Sequence, residues 1–278
     1  MSTTINTNIS SIVSQNALNK TQRTLQKTME SLSTGSRINR ASDDATGLAI
    51  AENMKTQING LNAAVRNAND AISLLQTADS AMGSIGDMLQ RMRELGTLAQ
   101  NDTYSTAQRV AMNDEFVSLQ SEIERVAENT QWNGMNLLDG TGGSSGGQSA
   151  FIFQIGANAI QTITVAVPGM GVTTLGISMV SIGTVGEAQS AVAALDEAIS
   201  ILNTRRSVIG SAINRLTYTI ENLDNISQNA QMSRSAVADT DYAKATSELA
   251  RTQILQQAAT AMLAQANQQP NMVLALLK

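Results

Sequence analysis

Asp43 and Asp44 stand side by side, the nearest approach in this chain to the paired carboxylates that share proton-transfer work. Their setting favours a different job. Ser42, Asp43 and Asp44 directly precede Leu48, Ala51 and Met54, which recur at helical spacing, so a side-chain oxygen here caps a first turn and faces its positive dipole end. Gly35, after Leu32, is the matching stop for a preceding helix. Arg37 and Arg40 fall in the connection, where they can pair with Asp43, with Asp44 or with a neighbouring subunit. The chain has no His and no Cys. That withdraws the imidazole base, the thiolate nucleophile, disulfides and most transition-metal ligand sets. We therefore expect no enzyme activity, no metal and no cofactor.

The elements that carry these residues follow from composition. Phe, Trp and Tyr make up 3% of the 278 residues and Pro occurs twice, which suits long helices better than a globule built on aromatic anchors. Charged residues are 15%, and neutral polar side chains replace the missing charge. A hydrogen-bonded amide is cheaper to bury than an unpaired ion, so such a surface suits packing against copies of itself. A net charge of −5, without clustered Lys and Arg, argues against nucleic acid as a partner. Residues 1–19 carry no charge and no apolar run, unlike a cleaved signal peptide. The uncharged stretch 252–277 holds too many Gln, and Pro270, for membrane insertion.

Stepping by three and four through the C-terminal third gives Val192, Leu195, Ile199, Leu202, Arg206, Ile209, Ile213, Leu216, Ile220 and Leu223, aliphatic except at Arg206. At about 1.5 Å per residue this seam runs roughly 48 Å and demands a partner helix along its length. The N-terminal half offers one: Met54, Ile58, Leu61, Val65, Ala68, Ile72 and Leu75, then Ala78, Met82, Ile85, Leu89 and Met92 after a register step. Arg206 either fixes the register or snorkels to water. A third helix spans about 106–129, with Val110, Phe116, Leu119, Ile123 and Val126 on one face. Both chain ends are helical in pattern but carry thin apolar stripes, so we expect them to be loose alone and ordered on assembly. Between the halves, 139–184 opens with a Gly-rich run from Gly140 to Gly147. Phe151, Phe153 and Ile155, a turn at 156–158, then Ile160, Ile163, Val165 and Val167 predict a β-hairpin, read as an ornament on a helical rod. The fold class expected is mainly α: a long antiparallel rod or coiled coil from the two halves, with a small hairpin in the middle.

The run from Ser33 to Ile50, with Ser42, Asp43 and Asp44 at its centre, resembles the N-terminal signature of the bacterial flagellin family. Gln253 to Ala258 and Ala261 to Gln268 resemble the family's C-terminus, and Phe153 to Asn158 its hairpin motif. Trp132 departs from it, standing where the family more often has Phe after Thr130 and Gln131. The resemblance implies a subunit that polymerises into the flagellar filament, with 1–44 and 236–278 as a terminal inner-tube domain and 45–235 as the rod. No large outer domain is expected. It also implies an extracellular location, export by the flagellar secretion apparatus without signal cleavage, and as partners a secretion chaperone, filament cap and hook-filament junction proteins. Leu89 to Leu95 resembles the segment bound by the host Toll-like receptor for flagellin, with Gln90, Arg91, Leu95 and Glu115 as the implied contacts. Leu274, Leu276 and Leu277 resemble the tail read by a cytosolic innate sensor. A hook-filament junction protein is the alternative reading, whereas a metallopeptidase insert needs histidines that the chain lacks.

Overall fold

The computed structural model describes residues 7–142 and 150–276, with side chains through residue 268. The fold is mainly α. Its helices are α1 (Ile9–Thr34), α2 (Ala45–Ala99), α3 (Thr106–Asn129), α4 (Val185–Ala238) and α5 (Tyr242–Leu276). The strands pair as two antiparallel hairpins, β1 (Gln131–Trp132) with β2 (Met135–Asn136), and β3 (Ala150–Gln154) with β4 (Thr162–Ala166). Of the Gly-rich run, 143–147 lie outside the described residues.

Local side chains set each helix start. Asn8 accepts from the Ser11 amide at 3.1 Å and opens α1, and Asp44 accepts from Gly47 at 2.9 Å and opens α2. Ser105 and Gln108 form a reciprocal capping box on α3. Thr184 and Glu187 exchange the same two bonds at the start of α4, at 3.1 and 3.3 Å. The Asp241 carboxylate accepts from the Ala243 and Lys244 amides and opens α5. Gly35 ends α1 with φ of 71°, a conformation that costs a side-chain-bearing residue free energy.

The chain divides into two compact units, one from its ends (Met1–Thr56 with Asn229–Lys278) and one from its middle (Gln57–Gln228). The middle unit holds the main hydrophobic core. Within it, α2 and α4 run antiparallel, because contacting residue numbers rise on one helix as they fall on the other. Asn62 meets Ser227, Asp79 pairs with Arg206 at 2.8 Å, Gly86 faces Leu202, Arg93 pairs with Asp196 at 2.6 Å, and Gly96 faces Val192. Met82, Ile85, Leu89 and Met92 from α2 are buried with Phe116 and Ile123 from α3 and Leu195, Leu202, Ile209 and Leu216 from α4.

The region 139–184 is more than an ornament. Phe151, Ile163, Val165, Val167, Met170, Leu175, Ile177 and Ile182 all join the main core, with Leu137 and Leu138 just before them. The predicted hairpin forms, with register Phe151 to Val165 and Phe153 to Ile163, and burial along β4 alternates as a half-buried sheet requires. Ile160, expected in the second strand, lies instead in the turn. A shorter hairpin turns on Asn133 and Gly134, both at positive φ, and places Trp132 against the core.

Candidate assembly and recognition surfaces

In the unit formed by the chain ends, α1 and α5 lie antiparallel. Asn8 donates to the Ala266 carbonyl at 2.7 Å, Ser11 to the Asn267 side chain at 2.7 Å, and Thr240 to the Ser31 carbonyl at 3.3 Å. Small and polar residues make this contact: Thr28, Thr252 and Ala266 are the buried side chains of the two helices among those described. Leu18, Leu25, Leu32, Leu249 and Leu263 are half-buried, but other large apolar side chains are left outside. Ile9, Ile12, Val13 and Met29 on α1, and Ile254, Leu255 and Met262 on α5, are exposed, Ile254 at 65% and Met262 at 64%. Fully burying such a side chain is worth about 1.5–3 kcal/mol. The pair of helices therefore presents a surface whose free energy falls when something apolar covers it.

The connection 35–44 is fastened to the start of α5 and the end of α4. Thr240 donates its amide to the Gly35 carbonyl at 2.9 Å, the Arg37 amide donates to Ala238 at 2.7 Å, and the Arg37 guanidinium donates to the Val237 carbonyl. Asp43 and Asp44 do separate work. Asp44 caps α2, while Asp43 holds the loop, pairing with Lys27 at 2.9 Å and accepting from the Asn39 and Arg40 amides at 3.3 and 3.1 Å. Neither arginine forms an ion pair with either aspartate: Arg40 pairs with Glu30 at 3.0 Å and Arg37 uses backbone carbonyls. A cavity of about 730 Å³ opens beside this loop, lined by Lys27, Arg37 and Lys244 against Asp239, Asp241 and Glu248. Both signs of charge are equally represented in its lining.

The Lys27 hydrogen bond, outweighing burial and helped by the Asn39 and Arg40 amides, lowers the Asp43 pKa below its ordinary value. A lowered folded-state pKa gives stability that is present above the unfolded aspartate value of about 3.9 and is lost as pH falls through the folded value. The melting temperature of the wild-type chain should therefore fall as pH drops below about 4. The Asp43→Asn chain should melt lower at neutral pH and converge with wild type in acid, as circular dichroism melts at stepped pH would read.

In the middle unit, Arg91 on α2 reaches across to Glu115 on α3 at 2.9 Å and back to Glu94 at 3.1 Å. All three are exposed, as is Gln90. Leu95 is only 3% exposed and belongs to the core, so its side chain is not part of this surface. On α4, Leu195, Leu202, Ile209, Leu216 and Leu223 are buried, while Ile199, Ile213 and Ile220 are half-buried. The heptad reading omits the alanines Ala188, Ala191, Ala198 and Ala212, which are buried on the same helix. Of the C-terminal leucines, Leu277 lies outside the described residues, as do the side chains of Leu274 and Leu276. Among the described residues no helix is long and apolar enough to cross a membrane, and no group of three acidic, His or Cys residues is placed to hold a metal ion.

Two family models match. One, the bacterial flagellin N-terminal helical region, covers residues 5–142, and the other, the bacterial flagellin C-terminal helical region, covers residues 192–277. The chain is 46% identical over 255 residues to a flagellin of Halalkalibacterium halodurans, covering 91% of this chain and 92% of that one. It is 40% identical over 284 residues to the flagellar filament 33 kDa core protein of Treponema phagedenis, covering 99% of each. The crystal structure of Bacillus cereus flagellin superposes with a TM-score of 0.51 at 33% identity, over 57% of this chain and 88% of that one.

Proposed function

The chain belongs to the bacterial flagellin family, and from that premise we propose that α1 and α5 are the surface on which subunits of its filament join. As a flagellin it is a structural subunit that polymerises with itself. The observation that carries the finer reading is the row of exposed aliphatic residues on the two terminal helices, from Ile9 to Met29 and from Ile254 to Met262. Copies laid side by side bury those residues, and the helices gain on assembly the order that isolated helices lack. Before assembly the same surface needs a secretion chaperone. During growth it meets the junction proteins of the hook and then the filament cap. Export through the flagellar apparatus without signal cleavage and an extracellular resting place complete the reading.

Purified chain held at high concentration should form long filaments visible by electron microscopy. Only short rings or monomers would favour the hook-filament junction alternative instead.

A second reading concerns recognition by the host Toll-like receptor for flagellin. It is supported by the exposed constellation of Gln90, Arg91 and Glu115, in which the carboxylate fixes the guanidinium at 2.9 Å. Arg is a favoured anchor residue because its planar fork binds polar partners bidentately. Arg91→Ala should lower activation of receptor-bearing cells by about tenfold or more while leaving the melting temperature nearly unchanged. Leu95 acts from beneath, so Leu95→Ala should lower activation only in step with stability. Equal activation by wild type and Arg91→Ala would remove the recognition reading.

A further inference from the structure

At the tip of the β1–β2 hairpin a nucleophile and an electrophile stand next to each other with nothing else to do. Asn133 and Gly134 form the two-residue turn, at φ of 48° and 78°, and both are exposed. Among the described residues neither the Gly134 amide nor the Asn133 carboxamide has a hydrogen-bond partner. None of them lies within 4 Å of where a Gly134 Cβ would stand. Glycine also puts no side chain in the way of its own nitrogen. The Gly134 nitrogen is therefore unpaired and uncrowded beside the Asn133 carboxamide carbon, and asparagine is a thermolabile side chain.

The same dipeptide occurs once more in the chain, as Asn59 followed by Gly60. There the backbone lies inside α2, between buried Ile58 and Leu61. Ala157, in the β3–β4 turn, is pressed onto it: a Cβ added at Gly60 would lie 2.9 Å from the Ala157 Cβ. The Gly60 amide is committed to the helical ladder. Before it can attack, a stretch of packed helix must open, whereas the hairpin tip need rearrange only its own two residues.

We propose that Asn133 is a site of spontaneous covalent modification. The Gly134 nitrogen gives up its proton to solvent and bonds to Asn133 Cγ, the bond from Cγ to Nδ2 breaks, and ammonia leaves, closing a five-membered succinimide. Water then opens the ring at one of its two carbonyls. Attack at Cγ restores the original backbone with an aspartate. Attack at the Asn133 main-chain carbonyl leaves the chain running through Cβ and Cγ, as an isoaspartate. Water is the only co-reactant, and no electrons are exchanged. Either product adds a negative charge, and the isoaspartate also lengthens the main chain by one methylene. A two-residue turn fixes the register of its strands, so it has no slack for the insertion. The pairing of Gln131 with Asn136 and of Trp132 with Met135, extended by the Leu137 amide on the Thr130 carbonyl at 3.0 Å, then slips, and Trp132 loses its seat against the core. None of this depends on assembly.

Folded wild-type chain held warm in mildly alkaline buffer should gain about 1 Da at Asn133 in peptide mass spectrometry, with part of the product accepting a methyl group from an isoaspartyl methyltransferase. Conversion of Asn59 should be slower by about tenfold or more while α2 is folded, and in urea the two should react at similar rates. Trp132 is the chain's one tryptophan, so its emission reads the hairpin directly and should shift to the red in proportion to the isoaspartate formed. The Asn133→Gly chain keeps the positive φ without a carboxamide and should show neither change at this turn. Equal conversion of Asn59 and Asn133 in the folded chain would overturn the assignment, as would an intact Asn133 there after the urea-treated chain has converted. Both comparisons lie within the wild-type chain and need no variant to fold. Isoaspartate at position 133 with Trp132 emission unchanged would overturn the coupling to the hairpin.

Discussion

A chain lacking residues 1–40 does not polymerise, nor does one lacking residues 239–278, while both keep the cooperative melting transition of Gln57–Gln228. This expected result follows from where the apolar area sits. The main core draws its residues from 68 to 216, entirely within the middle unit, so neither deletion opens it. In the other unit α1 and α5 hold each other through a few hydrogen bonds and small buried side chains. Deleting one leaves its partner a single helix in water, which is marginal because nucleation is unfavourable and little burial compensates. The helical signal in circular dichroism should therefore fall by more than the deleted residues account for. Sedimentation and electron microscopy read the assembly defect. Intact filaments from either truncation would show that the terminal helices are not the joining surface.

Periodic burial is the part of this fold that the sequence displays. The α4 seam is legible because Leu195, Leu202, Ile209 and Leu216 recur at heptad spacing, and α3 because its apolar face is regular and its start carries Ser105 and Gln108. Arg206 shows the limit of that reading. It sits on the heptad seam, yet a straight helix drifts about 20° per heptad from a strict 3.5 repeat. The side chain emerges at the edge, paired with Asp79 and about two-fifths exposed. Ile160 fails for another reason: its β-branched side chain argues for strand, and only the long-range seating of the turn overrides that preference. The burial of Met170, Leu175, Ile177 and Ile182 had no signal to find, because these residues follow no period. Their backbone is satisfied by polar side chains of α3. Gln120 donates to the Ile177 and Val180 carbonyls at 2.6 and 3.0 Å, Glu124 accepts from the Val172 amide at 2.7 Å, and Asn113 accepts from the Ile182 amide at 2.9 Å. Each of those three looks like an ordinary solvated helix residue until the loop is placed on it. The resemblance of Leu89 to Leu95 to a receptor-bound segment likewise carried no information on depth, and the structure separates exposed Arg91 from buried Leu95.

Phe116→Ala should be among the most damaging single substitutions in the middle unit, costing about 3–5 kcal/mol in urea denaturation, the usual loss for a buried aromatic ring. Phe116 is fully buried and is the largest of the three α3 side chains that are, with Ile123 and Ala127. Val117, its neighbour, is 45% exposed, and Val117→Ala should change stability by no more than about 0.5 kcal/mol. The pair separates packing from helix propensity, since both substitutions replace a poor helix former with alanine. It also links stability to the receptor recognition proposed above. Glu115 precedes Phe116 on α3 and meets Arg91 on α2, so the ion pair between the helices persists only while α3 is docked. At temperatures where Phe116→Ala is still folded, its weakened docking should loosen Glu115 and lower receptor activation, whereas Val117→Ala should activate like wild type. A loss below about 1 kcal/mol for Phe116→Ala would mean that the site can collapse around the missing ring, and that α3 is held by its polar bonds to the loop 170–182 rather than by its apolar face.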